Sequence, residues 1–103
     1  MAEATDKDGG ESVAGDAPVT FSTFLLGLST QALLHLGEIP NPTSGQIERD
    51  LVAAQQVIDI LGMLQGKTAG NLDETEAGLL EAVLYDLRMK FVEISRRNAK
   101  EAT

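Results

Sequence analysis

From Thr20 onward, large aliphatic and aromatic side chains recur every three or four residues, the spacing that stacks them on one face of a 3.6-residue helix. Three segments carry this pattern. The first holds Phe21, Phe24, Leu25, Leu28, Ala32 and Leu36 on one face, with Thr20 placed to cap its start and Gly37 to stop it. Pro40 and Pro42 forbid continuation, so the predicted helix is 21–36. The second segment, 46–65, places Ile47, Leu51, Ala54, Ile58 and Leu61 on a face widened by Val57 and Leu64. Thr43 or Ser44 is its expected N-cap and Gly66 its expected left-handed C-cap. The third opens on Asp73-Glu74-Thr75-Glu76, in which Asp73 and Glu76 can each accept the other's backbone amide proton. It carries Leu80, Val83, Leu84, Leu87, Phe91 and Ile94 and is predicted over 74–97, with Arg96, Arg97 and Lys100 at the negative end of the helix dipole. No sustained two-residue alternation competes with these helices. The expectation is an all-α chain, a three-helix bundle or open helical array.

A second set of apolar positions lies off these faces. Leu26 and Leu33 fall roughly a third of a turn from the first stripe, and Leu34 lies elsewhere again. Val52, Ile60 and Met63 sit toward the back of the second helix, while Tyr85 and Val92 form another stripe on the third. At ~1.5 Å per residue the third helix is about 36 Å long and the first about 25 Å, so a simple bundle leaves one end uncovered. Both features predict completion by homodimerisation. The candidate oligomer or partner interface comprises Leu26, Leu33, Leu34, Ile60, Met63, Tyr85 and Val92.

Charge is concentrated in the first 17 residues. Five acids against Lys7 give this stretch half of the chain's net charge of -8, and Val13 is its one large aliphatic side chain after Met1. Such a segment cannot offset the entropy of ordering, so 1–17 is expected to be a disordered acidic tail preceding a single helical domain over 18–103. The acidic balance works against non-specific binding to nucleic acid or to anionic membranes. A chain of 103 residues without cysteine has no disulfide or zinc-thiolate site to support a small core, which again favours self-association. The sequence begins without a basic and apolar leader and is read as cytoplasmic.

Candidate chemistry is sparse. Gly66-Lys67-Thr68 resembles the end of a phosphate-binding loop, but Leu61 stands where that motif needs glycine, and the string closes a helix rather than opening one. His35, the one histidine, lacks the Glu-x-x-His spacing of bundle metal sites because Ala32 precedes it by three. Glu38 could assist it, and a symmetric oligomer could gather its copies; otherwise it is a helix-end residue near the negative dipole. Glu48, Asp50, Asp59, Glu74, Glu76, Glu81, Asp86 and Glu93 are spread over solvated faces, with Asp86 and Lys90 as a four-residue pair. The uncharged run 17–37 has the length of a membrane span, but its Pro18, serines, threonines, Gln31 and His35 make it too polar for that role. No catalytic residue, cofactor or metal is expected, and the chain is not read as an enzyme.

The strings Phe21-Ser22-Thr23-Phe24 with Leu28, Ala32-Leu33-Leu34-His35-Leu36-Gly37, the Pro40 and Pro42 loop and Asp59-Ile60-Leu61-Gly62-Met63-Leu64 resemble a family of short bacterial proteins catalogued as a domain of unknown function. Lys67-Thr68, Gly70-Asn71-Leu72 and Leu84-Tyr85-Asp86-Leu87-Arg88-Met89 extend the likeness over about three quarters of the chain. The resemblance implies a bacterial helical protein and brings no catalytic residues with it. The leading expectation is therefore a non-catalytic homo-oligomeric interaction or scaffold protein. Its rivals are a helical binding module for a different protein or an apolar ligand and, third, a metal-assisted enzyme using His35.

Overall fold

A computed structural model describes residues 18–102. The acidic tail expected over 1–17 lies outside the described residues. Three helices follow in order, α1 (Phe21–Leu36), α2 (Leu51–Lys67) and α3 (Glu74–Ala102), and each packs on the other two. The all-α, three-helix expectation holds, and there is no strand among the described residues.

Local chemistry explains the ends of α1. The Thr20 hydroxyl accepts the Thr23 amide proton at 3.0 Å, and the Thr23 hydroxyl oxygen accepts the Thr20 amide proton at 3.0 Å. This is the reciprocal capping arrangement, with threonine in the place usual for glutamate. At the other end Gly37 adopts φ 80°, and the amides of Gly37 and Glu38 donate to the carbonyls of Leu34 and Leu33 at 3.0 and 2.9 Å. That pair of bonds satisfies two carbonyls the helix would otherwise leave open.

The second helix departs from expectation at both ends. It starts at Leu51 rather than at 46, because the preceding residues bond elsewhere. Asn41 accepts from Gly45 and donates to Gln46 through its backbone, Asn41 Nδ2 and Ser44 Oγ both donate to Glu48, and the Asp50 amide donates to the His35 carbonyl at 2.7 Å. These bonds hold 46–50 extended along the end of α1. Asp50, not Thr43 or Ser44, is the cap, its carboxylate accepting the Ala53 amide proton at 3.1 Å. Ile47, expected in the core, is consequently exposed. Gly66 is not the C-cap either: α2 runs on to Lys67, Thr68 ends it with φ -101°, and the left-handed glycine of this turn is Gly70.

Helix α3 begins as expected, with Asp73 Oδ1 accepting from the Glu76 amide at 2.8 Å and Glu76 Oε1 accepting from the Asp73 amide at 3.0 Å. It ends five residues later than expected, at Ala102, beyond the last buried residue Ile94.

The core is apolar throughout. Leu25, Ala32 and Leu36 of α1 meet Ala54, Val57, Ile58 and Leu61 of α2 and Leu80, Leu84, Leu87 and Ile94 of α3. Phe21, Leu28, Leu51, Val83 and Phe91 pack partly buried at its edge. Phe24 is the exception on the predicted face of α1. It lies about 100° round the helix from Leu25, past the edge covered by the other two helices, and is half exposed.

Candidate functional site

With the three core faces turned inward, the remaining apolar residues define what the molecule offers outward. On α1, Phe24 and Leu26 are exposed on opposite flanks of the buried stripe. Between them, around the outer pole, Thr23, Phe24, Gly27, Leu28, Gln31 and Leu34 line an open depression of about 420 Å³. Gly27 makes the hollow, since nothing lies within 4 Å of where its Cβ would stand. On α2, Val52, Ile60 and Met63 are exposed. On α3, Tyr85, Met89 and Val92 are 69, 55 and 50 % exposed, and their spacing of four and three residues puts them on the pole opposite Leu87.

The seven interface residues read from the sequence are drawn from all three helices, five of them exposed and two partly buried. Leu26, Ile60, Met63, Tyr85 and Val92 are exposed, distributed over all three helices. Leu34 is half-buried on the outer side of α1, and Leu33 turns inward to pack against the core. Sequence reasoning missed Met89, whose position four residues after Tyr85 and three before Val92 is the signal that could have found it.

A polar cleft lies where α1 ends against the extended 46–50 segment. Leu34, His35, Asn41, Glu48, Arg49 and Asp50 line about 330 Å³ there. Its polar groups are largely committed to structure: Glu48 accepts from Asn41 and Ser44, and Asp50 caps α2. Arg49 lies over Gly37, where a Cβ would come within 3.2 Å of its Nε, so its guanidinium sits at the negative end of α1. Among the described residues no group of three histidine, cysteine or carboxylate side chains is arranged to hold a metal ion, and no polar or charged side chain is buried. Lys67 and Thr68 close α2 and do not open a helix as a phosphate loop does, the Thr68 hydroxyl donating back to the Leu64 carbonyl at 2.7 Å. No described helix is long and apolar enough to cross a membrane.

Electrostatics on α3 is local. Lys90 Nζ lies 3.0 Å from Asp86 Oδ1, and this hydrogen bond, with the charge of Asp86, raises the lysine pKa above its ordinary 10.5. Glu38 at the end of α1 and Glu93 on α3 add smaller contributions of the same sign.

Fold and surface together define an all-α three-helix protein with apolar positions on its outer faces. A family model described as domain of unknown function (DUF1844) matches residues 18–93, and the chain belongs to that family. No curated protein and no solved structure matches the chain.

Proposed function

We propose that this chain is a non-catalytic interaction protein of the bacterial cytoplasm that acts as a homo-oligomer, in its simplest form a dimer. The observation that carries the reading is the exposure of Leu26, Ile60, Met63, Tyr85, Met89 and Val92 on a domain whose own core is already apolar and closed. Scattered apolar residues are ordinary on a surface, but spaced runs on helix faces are the form in which helices recognise other helices. A small domain without disulfides also gains most from association.

Light scattering coupled to size exclusion over a hundredfold concentration range tests this on the full chain. A mass above that of the 10.9 kDa monomer, falling on dilution, is the expected result. A monomer at every concentration up to 100-fold above the starting value overturns it.

The depression on α1 favours a second reading, a docking site for one side chain of a different protein or a small apolar ligand. It has one bulky aromatic wall, Phe24, and a floor at Gly27. Filling that floor with Gly27→Ala separates the two readings, because it obstructs the depression and leaves α2 and α3 unchanged.

A further inference from the structure

The outer pole of α3 carries more order than exposure alone requires. Ala82, Tyr85, Met89, Val92, Arg96 and Ala99 follow one another at spacings of three, four, three, four and three residues. That alternation averages 3.5 residues, the repeat of a coiled-coil seam, and it coexists with the core repeat of Leu80, Leu87 and Ile94 on the other side of the same helix. All six positions are exposed. The stripe's three large apolar members, Tyr85, Met89 and Val92, follow one another without a gap, whereas Val52 on α2 stands about two turns from Ile60 and Met63.

We infer that this stripe is an antiparallel, two-fold self-association seam, in which Met89 of each copy packs against Val92 of the other. This deepens the proposed function and rests on it. The occupant is a second copy because the stripe is self-complementary in one direction only. In a parallel pair in register, Arg96 meets Arg96 of the partner inside the seam, and like charges repel there. No ion pair relieves Arg96 within its own chain among the described residues. Turning the partner round about an axis between Met89 and Val92 removes that conflict. Arg96 then comes over the ring of Tyr85 of the partner, an attractive cation–aromatic contact made twice by symmetry. Ala82 meets Ala99 of the partner at each end, two small residues that let the backbones close. On one flank Asp86 approaches Glu93 of the partner, a repulsion that Lys90, paired to Asp86 at 3.0 Å, offsets.

Size fixes the strength. The seam spans residues 82–99, ~27 Å of helix ~10 Å wide, which is roughly 270 Å² in projection. A standard stable interface covers ~800 Å² per partner, so this dimer exchanges subunits readily rather than remaining locked.

The absence of native cysteine makes a directional test straightforward. Two single variants of the full chain, Ala82→Cys and Ala99→Cys, are oxidised separately and as an equimolar mixture. A disulfide needs Cα atoms within ~7 Å, whereas identical positions at 82 lie ~26 Å apart in the antiparallel arrangement. The expected result is a cross-linked dimer in the mixture, at least tenfold above either variant alone. Cross-linking of each variant with itself means a parallel seam and overturns the inference, and so does no cross-link in any sample. A parallel light-scattering run on the unmodified chain separates the two levels. A dimer mass without the mixed cross-link sinks the seam alone, while a monomer sinks self-association as well. Met89→Glu checks the same surface by another route: dimer dissociation should rise at least tenfold, with the circular dichroism spectrum unchanged. Equal dissociation in Met89→Glu and the unmodified chain also overturns the seam.

Discussion

Truncation of Leu87 to alanine examines the core where the three helices meet. Leu87 is wholly buried within a cluster drawn from all three helices, so its missing carbons leave a cavity that rigid neighbours cannot fill. Removal of a leucine from such a site costs about 3–4 kcal/mol, within the ~2–5 range for buried leucines. The described domain, about 85 residues, has roughly 4–13 kcal/mol to lose. Leu87→Ala therefore removes a large share of the total, and the melting temperature should fall by about 12–30 °C, at ~4–8 °C per kcal/mol for a domain this size. Leu28 is the internal comparison. It sits half-buried at the edge of the same cluster, so Leu28→Ala should cost about 1–2 kcal/mol because solvent already reaches part of its cavity. Urea titrations followed by helical circular dichroism, run at two protein concentrations, give both values and expose any contribution from association. If Leu87→Ala loses less than Leu28→Ala, the helix faces have been assigned wrongly.

Other perturbations test separate parts of the structure. Asp50→Ala should destabilise by about 1 kcal/mol through loss of the α2 cap, whereas Ser44→Ala, at the position first expected to cap, should cost less than half of that by the same urea assay. Gly37→Ala should cost ~1–2 kcal/mol, since φ is 80° there and Arg49 closes the space; an unchanged urea midpoint would remove the left-handed turn. Gly27→Ala in monomeric protein should stabilise by about 0.5–1 kcal/mol, because the position is helical and open, and a loss would show that the space at Gly27 is not open. The raised pKa of Lys90 stabilises the fold below the lysine's unfolded value, and that contribution is lost as pH rises through the higher folded value. Lys90→Met should accordingly leave stability between pH 5 and about 8 within ~0.5 kcal/mol, the usual limit for an exposed pair. That small difference between the two proteins should close as pH rises through about 10–11, roughly where lysine ordinarily titrates.

Where polar chemistry is local, the sequence was a good guide. Thr20 with Thr23, Asp73 with Glu76, and Gly37 each satisfy helix ends with neighbours four or fewer residues away, so the first helix and the start of the third were legible. The stretch 46–50 was not, because one of the bonds that hold it extended runs from the Asp50 amide to the His35 carbonyl, fifteen residues back. Ile47 shares the 3.6-residue period of α2 and was misplaced for that reason. Phe24 was misread for a different cause, since periodicity gives an angle around the helix axis but not how far the neighbouring helices reach round it. Of the candidate surface, the positions on α2 and α3 could be read from phase alone. Leu33 could not, as its inward packing depends on how α1 is seated between its neighbours.

The hydrogen bond between Asp50 and the carbonyl of His35 has a consequence for the order in which the chain assembles. It joins the end of α1 to the residue that caps α2, so a single contact closes the fifteen-residue segment between them and starts the second helix in the right direction. Closing a loop of about this length takes on the order of 100 ns, far less than docking a distant helix. This bond predicts that an α1–α2 hairpin forms first and that α3 condenses onto it afterwards, bringing Leu80, Leu84, Leu87 and Ile94 in together. Substitutions at Asp50 should slow folding, whereas substitutions along α3 should mainly hasten unfolding.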